Sequence, residues 1–193
     1  MSNNSTHNAR RCQASLSLII IFCLGVLLSL PVKAAPIPLT SSSVFISAKN
    51  GLFQSPLGFS IHLADTDWVQ VPKPADNPYI ETVYRSNDDQ NIQAALTVRV
   101  DKLDTTHTFE SYSKKWMKDY PRFGFAVLTA KKVRVGDQVG FMLDLINRDN
   151  SKQLRQVLFL KDKAAVTLTC RDDASSFSRT LKSCNEIMRS FHW

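Results

Sequence analysis

The side chains whose types could do chemistry are few, and they stand apart. His62, His107 and His192 each lie alone, with no second histidine, paired cysteine or acidic loop at a ligand spacing. That pattern offers no metal site. No Gly-x-Ser-x-Gly turn exposes a serine nucleophile, and six glycines in the whole chain supply no phosphate-cradling loop. The sequence therefore predicts no catalytic residue, no metal ligand and no cofactor. An enzyme, perhaps a small hydrolase, whose residues are gathered only by folding is the alternative.

Cys170 and Cys184 are the one pair with chemistry in reach. Cys170 ends an alternating strand on the side shared by Val166 and Leu168, and Cys184 sits on the inward stripe of the last helix. Both point into the same layer, and in an oxidising compartment a disulfide is the natural reading. Geometry weighs against it: Cys184 is about 13 Å along the helix from its start, beside an earlier part of the strand. Two buried free thiols are the alternative. Without a Cys-x-x-Cys spacing, the pair is not a redox catalyst.

The compartment comes from the first 34 residues. Arg10 and Arg11 precede an apolar run from Leu16 to Leu30, Pro31 breaks it, and Val32-Lys33-Ala34 offers small residues before Ala35. This is the layout of a signal peptide for the general secretory route, with cleavage between Ala34 and Ala35. The run is about 15 residues, short of the roughly 20 that span a bilayer. An uncleaved anchor is the rival. Removing 34 of 193 residues leaves 159, one domain's worth of core, bound for the periplasm or beyond. Arg10, Arg11 and Lys33 leave with the signal, so 21 basic residues face 17 acidic ones and the net charge falls from +7 to +4.

The elements that must position everything else follow in order. Residues 35–49 open with two prolines and a serine run and read as a flexible lead-in to a domain at 50–193. Gly58–Leu63 alternates like a strand, and Pro72, Pro74 and Pro78 punctuate an exposed loop after Trp68 and Val69. Tyr79–Arg85 and Ile92–Asp101 are the next strands; the second sets Arg99 and Asp101 on its wetter side. Phe109, Tyr112, Trp116 and Tyr120 make a helical stripe, capped by Thr106 or Thr108 and ended by Pro121. Strands at 125–134, 138–147, 153–161 and 164–170 are joined by turns too short for anything but an antiparallel meander. Val157 and Phe159 face one way and Leu154, Leu158 and Leu160 the other, so the third of these is a central strand. A last helix, capped by Ser175 or Ser176, carries Phe177, Leu181, Cys184, Ile187, Met188 and Phe191 inward. The class is α+β: an antiparallel sheet covered by helices on both faces.

The basic residues are interspersed, the tightest groups being Lys114, Lys115, Lys118 and Lys131, Lys132, Arg134. Without a dense stripe interleaved with aromatics, nucleic acid is not the partner. The candidate partner surface is the loop at 71–78 with its edge, Lys73, Asp76 and Tyr79, together with the basic helix face at Lys114, Lys115 and Lys118. Weak contact of that face with a membrane surface or a small ligand is a further alternative.

Gly58-Phe59-Ser60-Ile61 with Trp68, the helix around Phe109, Tyr112 and Trp116, Leu154–Phe159, Ala165–Cys170 and a closing helix ending in Ile187, Ser190 and Phe191 together form a pattern. Over residues 50–193 the chain resembles the PsbP-like family of α-β-α sandwich domains, which includes bacterial exported proteins of unknown function. The resemblance implies that fold. It also implies a role in protein binding or complex assembly without chemistry, as in a plant photosystem accessory subunit and a nuclear Ran-GTPase binder. The expected partner is an envelope protein or complex. No functional residue of the family carries over, because the matching positions are packing residues.

Overall fold

The computed structural model describes residues 51–63, 66–88 and 93–193. The expected signal segment, its cleavage at Ala34–Ala35, the lead-in at 35–49 and the first residue of the expected strand at Ile92 lie outside these residues. A hairpin of β1 (Leu52–Gln54) and β2 (Ser60–His62) comes first. Strands β3 (Trp68–Val71), β4 (Ile80–Ser86) and β5 (Ala95–Lys102) lead to helix α1 (Phe109–Asp119). The meander β6 (Phe125–Val135), β7 (Gln138–Asn147), β8 (Lys152–Lys161) and β9 (Ala164–Asp173) follows, and helix α2 (Phe177–Arg189) comes after it.

Seven strands form one sheet in the order β3-β4-β5-β9-β8-β7-β6, every neighbouring pair antiparallel. The short turns dictate the meander; two-residue connections such as Asp162-Lys163 leave no length for a crossover. Asp162 and Asn150 hold positive φ of 51° and 56° in their turns, a conformation Asp and Asn tolerate better than bulkier residues do. What turn length does not dictate is the pairing of β5 with β9, which are 62 residues apart at Lys102 and Ala164. That pairing makes the sheet continuous. β8 has two strands on either side or more, as its apolar content on both sides requires.

Alternate residues of β8 serve two different clusters. Val157 and Phe159 join Phe59, Leu96, Val98, Val166, Leu168 and α2's Phe177, Cys184, Ile187 and Met188. Leu158 joins Phe141, Leu143, Leu145 and Tyr120, with Phe109, Tyr112, Trp116, Leu154 and Leu160 packed against them half-buried. The fold is thus a sheet-dominated α+β arrangement with two helices. The C-terminal residues return to the first hairpin, His192 pairing with Ser60 (N···O 2.7 and 3.0 Å).

Cys170 and Cys184 are bonded, with their Cα atoms 6.1 Å apart. The axial offset that weighed against the bond is absorbed by the strand. β9 runs three residues past Cys170 to Asp173, about 10 Å of overshoot. The seven residue steps from Phe177 to Cys184 bring α2 back by about the same length. The capping of α2 also differs from expectation. Ser176 occupies the N-cap position, but its hydroxyl donates to Asp173 O instead of accepting from the helix. The buried Asp172 carboxylate lies at this end of the helix, taking the Thr180 hydroxyl and the Asp173 amide (2.7 Å).

Candidate functional site

Thr108 starts α1. Its hydroxyl accepts from Ser111 N at 3.2 Å while the Ser111 hydroxyl accepts from Thr108 N at 3.1 Å, a reciprocal cap. Glu110 in the first turn complements the helix dipole and pairs with Lys132 of β6 at 2.7 Å. That hydrogen bond holds the Glu110 carboxyl below its ordinary range. With the helix so anchored, the spacings of three and four put Phe109 over Phe141 (6.3 Å, stacked) and turn Tyr112, Trp116 and Tyr120 toward the sheet.

Between this stripe and the sheet lies a cavity of about 110 Å³. Its walls are Tyr112, Trp116, Tyr120 and Phe123 on the helix side, and Arg99, Gln156, Thr167 and Thr169 with Leu143 and Leu158 on the sheet side. The size suits a few waters or one side chain of a partner; an aliphatic-lined cavity of about 150 Å³ holds a benzene.

Arg99 organises one end. Its guanidinium lies 4.9 Å from the centroid of Tyr79 and 4.9 Å from that of Trp116, between the loop after β3 and the helix. Its Nε and Nη2 donate to Asp101 Oδ1 at 2.9 and 2.8 Å, and the Tyr112 hydroxyl donates to Asp101 Oδ2. At the other end the Tyr120 hydroxyl donates to Gln156 Oε1, and Gln156 Nε2 donates to Thr169 Oγ1 at 3.2 Å. Burial, then the bond to Asp101, push the Tyr112 phenol well up. Burial pushes Tyr120 up to about 12, against the opposing charge of Arg99. Both phenols are therefore neutral donors at physiological pH, not bases. Arg99, Tyr112, Tyr120, Gln156 and Thr169 are thus taken up by polar partners in or beside the cleft, and they border an aromatic recess with a cation at its lip. Such a site can hold a ligand; it has no poised nucleophile and base.

No sequence-family model matches the chain, and no curated protein matches it. Solved structures do. The cyanobacterial PsbP protein (CyanoP) of Synechocystis aligns with a TM-score of 0.55 at 14% identity, covering 73% of this chain and 90% of that one. The fold is PsbP-like. A second structure, LpqN of Mycobacterium tuberculosis, a protein involved in cell envelope biogenesis, aligns with a TM-score of 0.50 at 14% identity over 69% of this chain and 82% of its own. At such identity the likeness is one of fold.

On this PsbP-like frame the sequence-predicted residues fall in three places. Tyr79, 53% exposed, closes the loop that carries the exposed Lys73 and Asp76, and joins the cleft by stacking on Arg99. Lys114, Lys115 and Lys118 are exposed on α1, with Lys115 Nζ 6.0 Å from the Trp116 ring. Cys170 and Cys184 are fully buried in the other cluster. Of the histidines, His62 and His192 share the seam of β2 with the C-terminal residues, and His107 precedes α1 within 3.4 Å of Thr105 and Ser111 hydroxyls. Among the described residues no three His, Cys, Asp or Glu side chains gather to metal-binding distance, and no helix is long and apolar enough to cross a membrane.

Arg99, Asp101, Phe123, Gln156, Thr167 and Thr169 were not singled out as site residues by sequence. Alternation sets Arg99 and Asp101 on the wetter side of their strand, a usable signal. Nothing local says which helix or neighbouring strand they meet.

Proposed function

We propose that this chain is an exported, non-enzymatic accessory protein of the cell envelope that binds a partner protein or stabilises a complex. The stack of Tyr79, Arg99 and Trp116 carries the reading, because it joins the loop and the helix that sequence offered separately into one surface around a recess. Around it stand Phe123, 63% exposed, and Lys114, Lys115 and Lys118. Aromatic anchors beside a cationic rim are the composition of a recognition surface. On this reading residues 1–34 are a signal peptide cut between Ala34 and Ala35, 35–49 a lead-in and 50–193 the domain. The mature protein then resides in the periplasm or outside the cell, as a sandwich with α1 and α2 on opposite faces of the sheet. The alternating use of β8 by the two clusters supports that sandwich. The test is cross-linking capture from the envelope fraction of the native host, comparing wild type with Lys73→Ala/Asp76→Ala/Tyr79→Ala. A partner captured by the wild type and lost with the triple variant supports the surface; no specific partner for the wild type refutes the function.

A further inference from the structure

The large sheet has two open ends, β3 and β6. β3 is four residues long and Pro72 follows it, so its edge is blunt. β6 is 11 residues long and pairs on one side alone, with β7. The two-residue connection Gly136-Asp137 requires Val135 and Gln138 to exchange both of their backbone bonds. Counting back by twos, Arg134, Lys132 and Ala130 turn their N–H and C=O groups away from β7. Among the described residues nothing takes these groups up. A bulge between Val127 and Thr129 ends the regular stretch. The side chains alternate between the two faces. Lys132 reaches Glu110 of α1 and Arg134 shares its side, whereas Val133 and Val135 belong to the α2 cluster.

We infer that the outer edge of β6 over Ala130–Arg134 receives an extended acidic segment of another protein, which adds a strand to the sheet with carboxylates toward α1 and apolar side chains toward α2. Alternating N–H and C=O groups along an edge are matched by the backbone of another polypeptide, so the occupant is protein. Its charge follows from the surroundings of the edge. Lys131, Lys132 and Arg134 are exposed on this stretch, and β6 carries no carboxylate. Of the carboxylates on neighbouring elements, Glu110 is bound to Lys132 and Asp144 to Arg155, and Asp137 lies past the stretch in the turn. Lys131 and Arg134 make no ion pair among the described residues. Lys114 stands one turn beyond Glu110 on the same side of α1. The same cations disfavour a second copy of this chain, because pairing two copies about a two-fold axis over this stretch sets Lys132 directly against Lys132. On the other face an apolar side chain beside the half-buried Val133 extends the α2 cluster. This edge lies at the far end of the sheet from β3 and uses nothing of the Tyr79, Arg99 and Trp116 stack, so it is a second surface beyond the one proposed above.

The test uses the purified protein and a fluorescein-labelled synthetic peptide of alternating valine and glutamate, read by anisotropy, with amide exchange followed by NMR. The wild type binds this peptide, and the amides of Ala130, Lys132 and Arg134 exchange more slowly in the complex. The lysine-for-glutamate counterpart does not bind. Neither does the acidic peptide methylated along its backbone nitrogens, which keeps the charge and loses the donors. Lys132→Pro removes an outward N–H and no bond to β7; it weakens binding at least about tenfold at a nearly unchanged melting temperature. If that variant unfolds, Lys131→Glu/Arg134→Glu decides, with a loss of at least about tenfold expected. Undiminished binding by the folded variant overturns the inference. So does a bound peptide that leaves the three amides unprotected, or a dimer of the free protein that protects them.

Discussion

The cluster around α2 and the cluster around α1 are built from opposite materials. On the α2 side Phe191 stacks on Phe159 at 4.0 Å and packs tilted against Phe59 at 5.5 Å, all three at most 2% exposed, and a disulfide ties helix to strand. On the α1 side phenylalanines are joined by the half-buried Tyr112 and Trp116 and the buried Tyr120, which carry hydroxyls or an indole. Their polar partners, Asp101, Gln156 and Arg99, come from the sheet. Dense apolar packing has one good arrangement and resists change. Polar groups satisfied pairwise at an open border leave a surface to which another molecule can be added without undoing a core. The difference teaches where to look: the stapled side holds the domain together, and the side laced with hydrogen bonds is free to recognise.

The largest expected effect would break the stapled side. Phe159→Ala removes a fully buried ring that packs on Phe191 and should cost about 3–5 kcal/mol, read as a lower urea midpoint. The same ring loss by Phe123→Ala on the exposed lip should leave that midpoint nearly unchanged; equal losses would erase the contrast between the two regions. Next comes the staple. Cys170→Ala/Cys184→Ala, or reduction, opens a link across a sequence separation of 14 and should cost on the order of 3 kcal/mol. Urea unfolding with and without reductant measures it.

Alkali sharpens the comparison through the phenols. Burial raises Tyr84 in the α2 cluster, and burial also raises Tyr112 and brings Tyr120 to about 12 in the α1 cluster. The neutral forms are favoured by folding, so their contribution is whole below an unfolded pKa of about 10. It is lost as pH rises toward 12. Stability should fall across that window, less steeply in Tyr120→Phe, and phenolate absorbance should lag that of free tyrosine.

A finer probe is Gln156→Leu, which leaves the Tyr120 hydroxyl without its acceptor in a mostly buried setting; about 1–3 kcal/mol is expected. Adding Tyr120→Phe should recover part of it, since removing both partners is gentler than removing one. A double-mutant cycle on chemical unfolding tests the coupling. The smallest effect belongs to Lys132→Ala. Its pair with Glu110 is exposed on both sides, so the melting temperature should hardly move.

Much of the framework was legible before any coordinates. The strand expected at 138–147 is β7, and the stripes expected over Phe109–Tyr120 and Phe177–Phe191 are the faces that α1 and α2 bury or half-bury, except that Tyr120 and Phe191 reach the same clusters from just past the helix ends at Asp119 and Arg189. β1 escaped notice because three residues make too short a period to detect. The bond between Cys170 and Cys184 stayed open in the sequence because the overshoot of β9 to Asp173 was not visible in it. The cleft was the least legible part. Its walls come from β5, β7, β8, β9, α1 and the segment after α1, and each contributes a residue that looks ordinary in its own strand or helix.

What the sequence determined by itself is what local physics controls. Alternation, helical spacing, caps and turn length act within a few residues, so they specify elements, the meander and the side on which each side chain falls. What only the tertiary structure decided is what meets across the sheet. Joining β5 to β9 closes a long stretch of chain at an entropic cost that no local pattern records. That single pairing puts Arg99 beside Thr167 and Arg171 beside Ala95. The surface most available for recognition therefore depends on register, which packing sets only when the whole sheet forms.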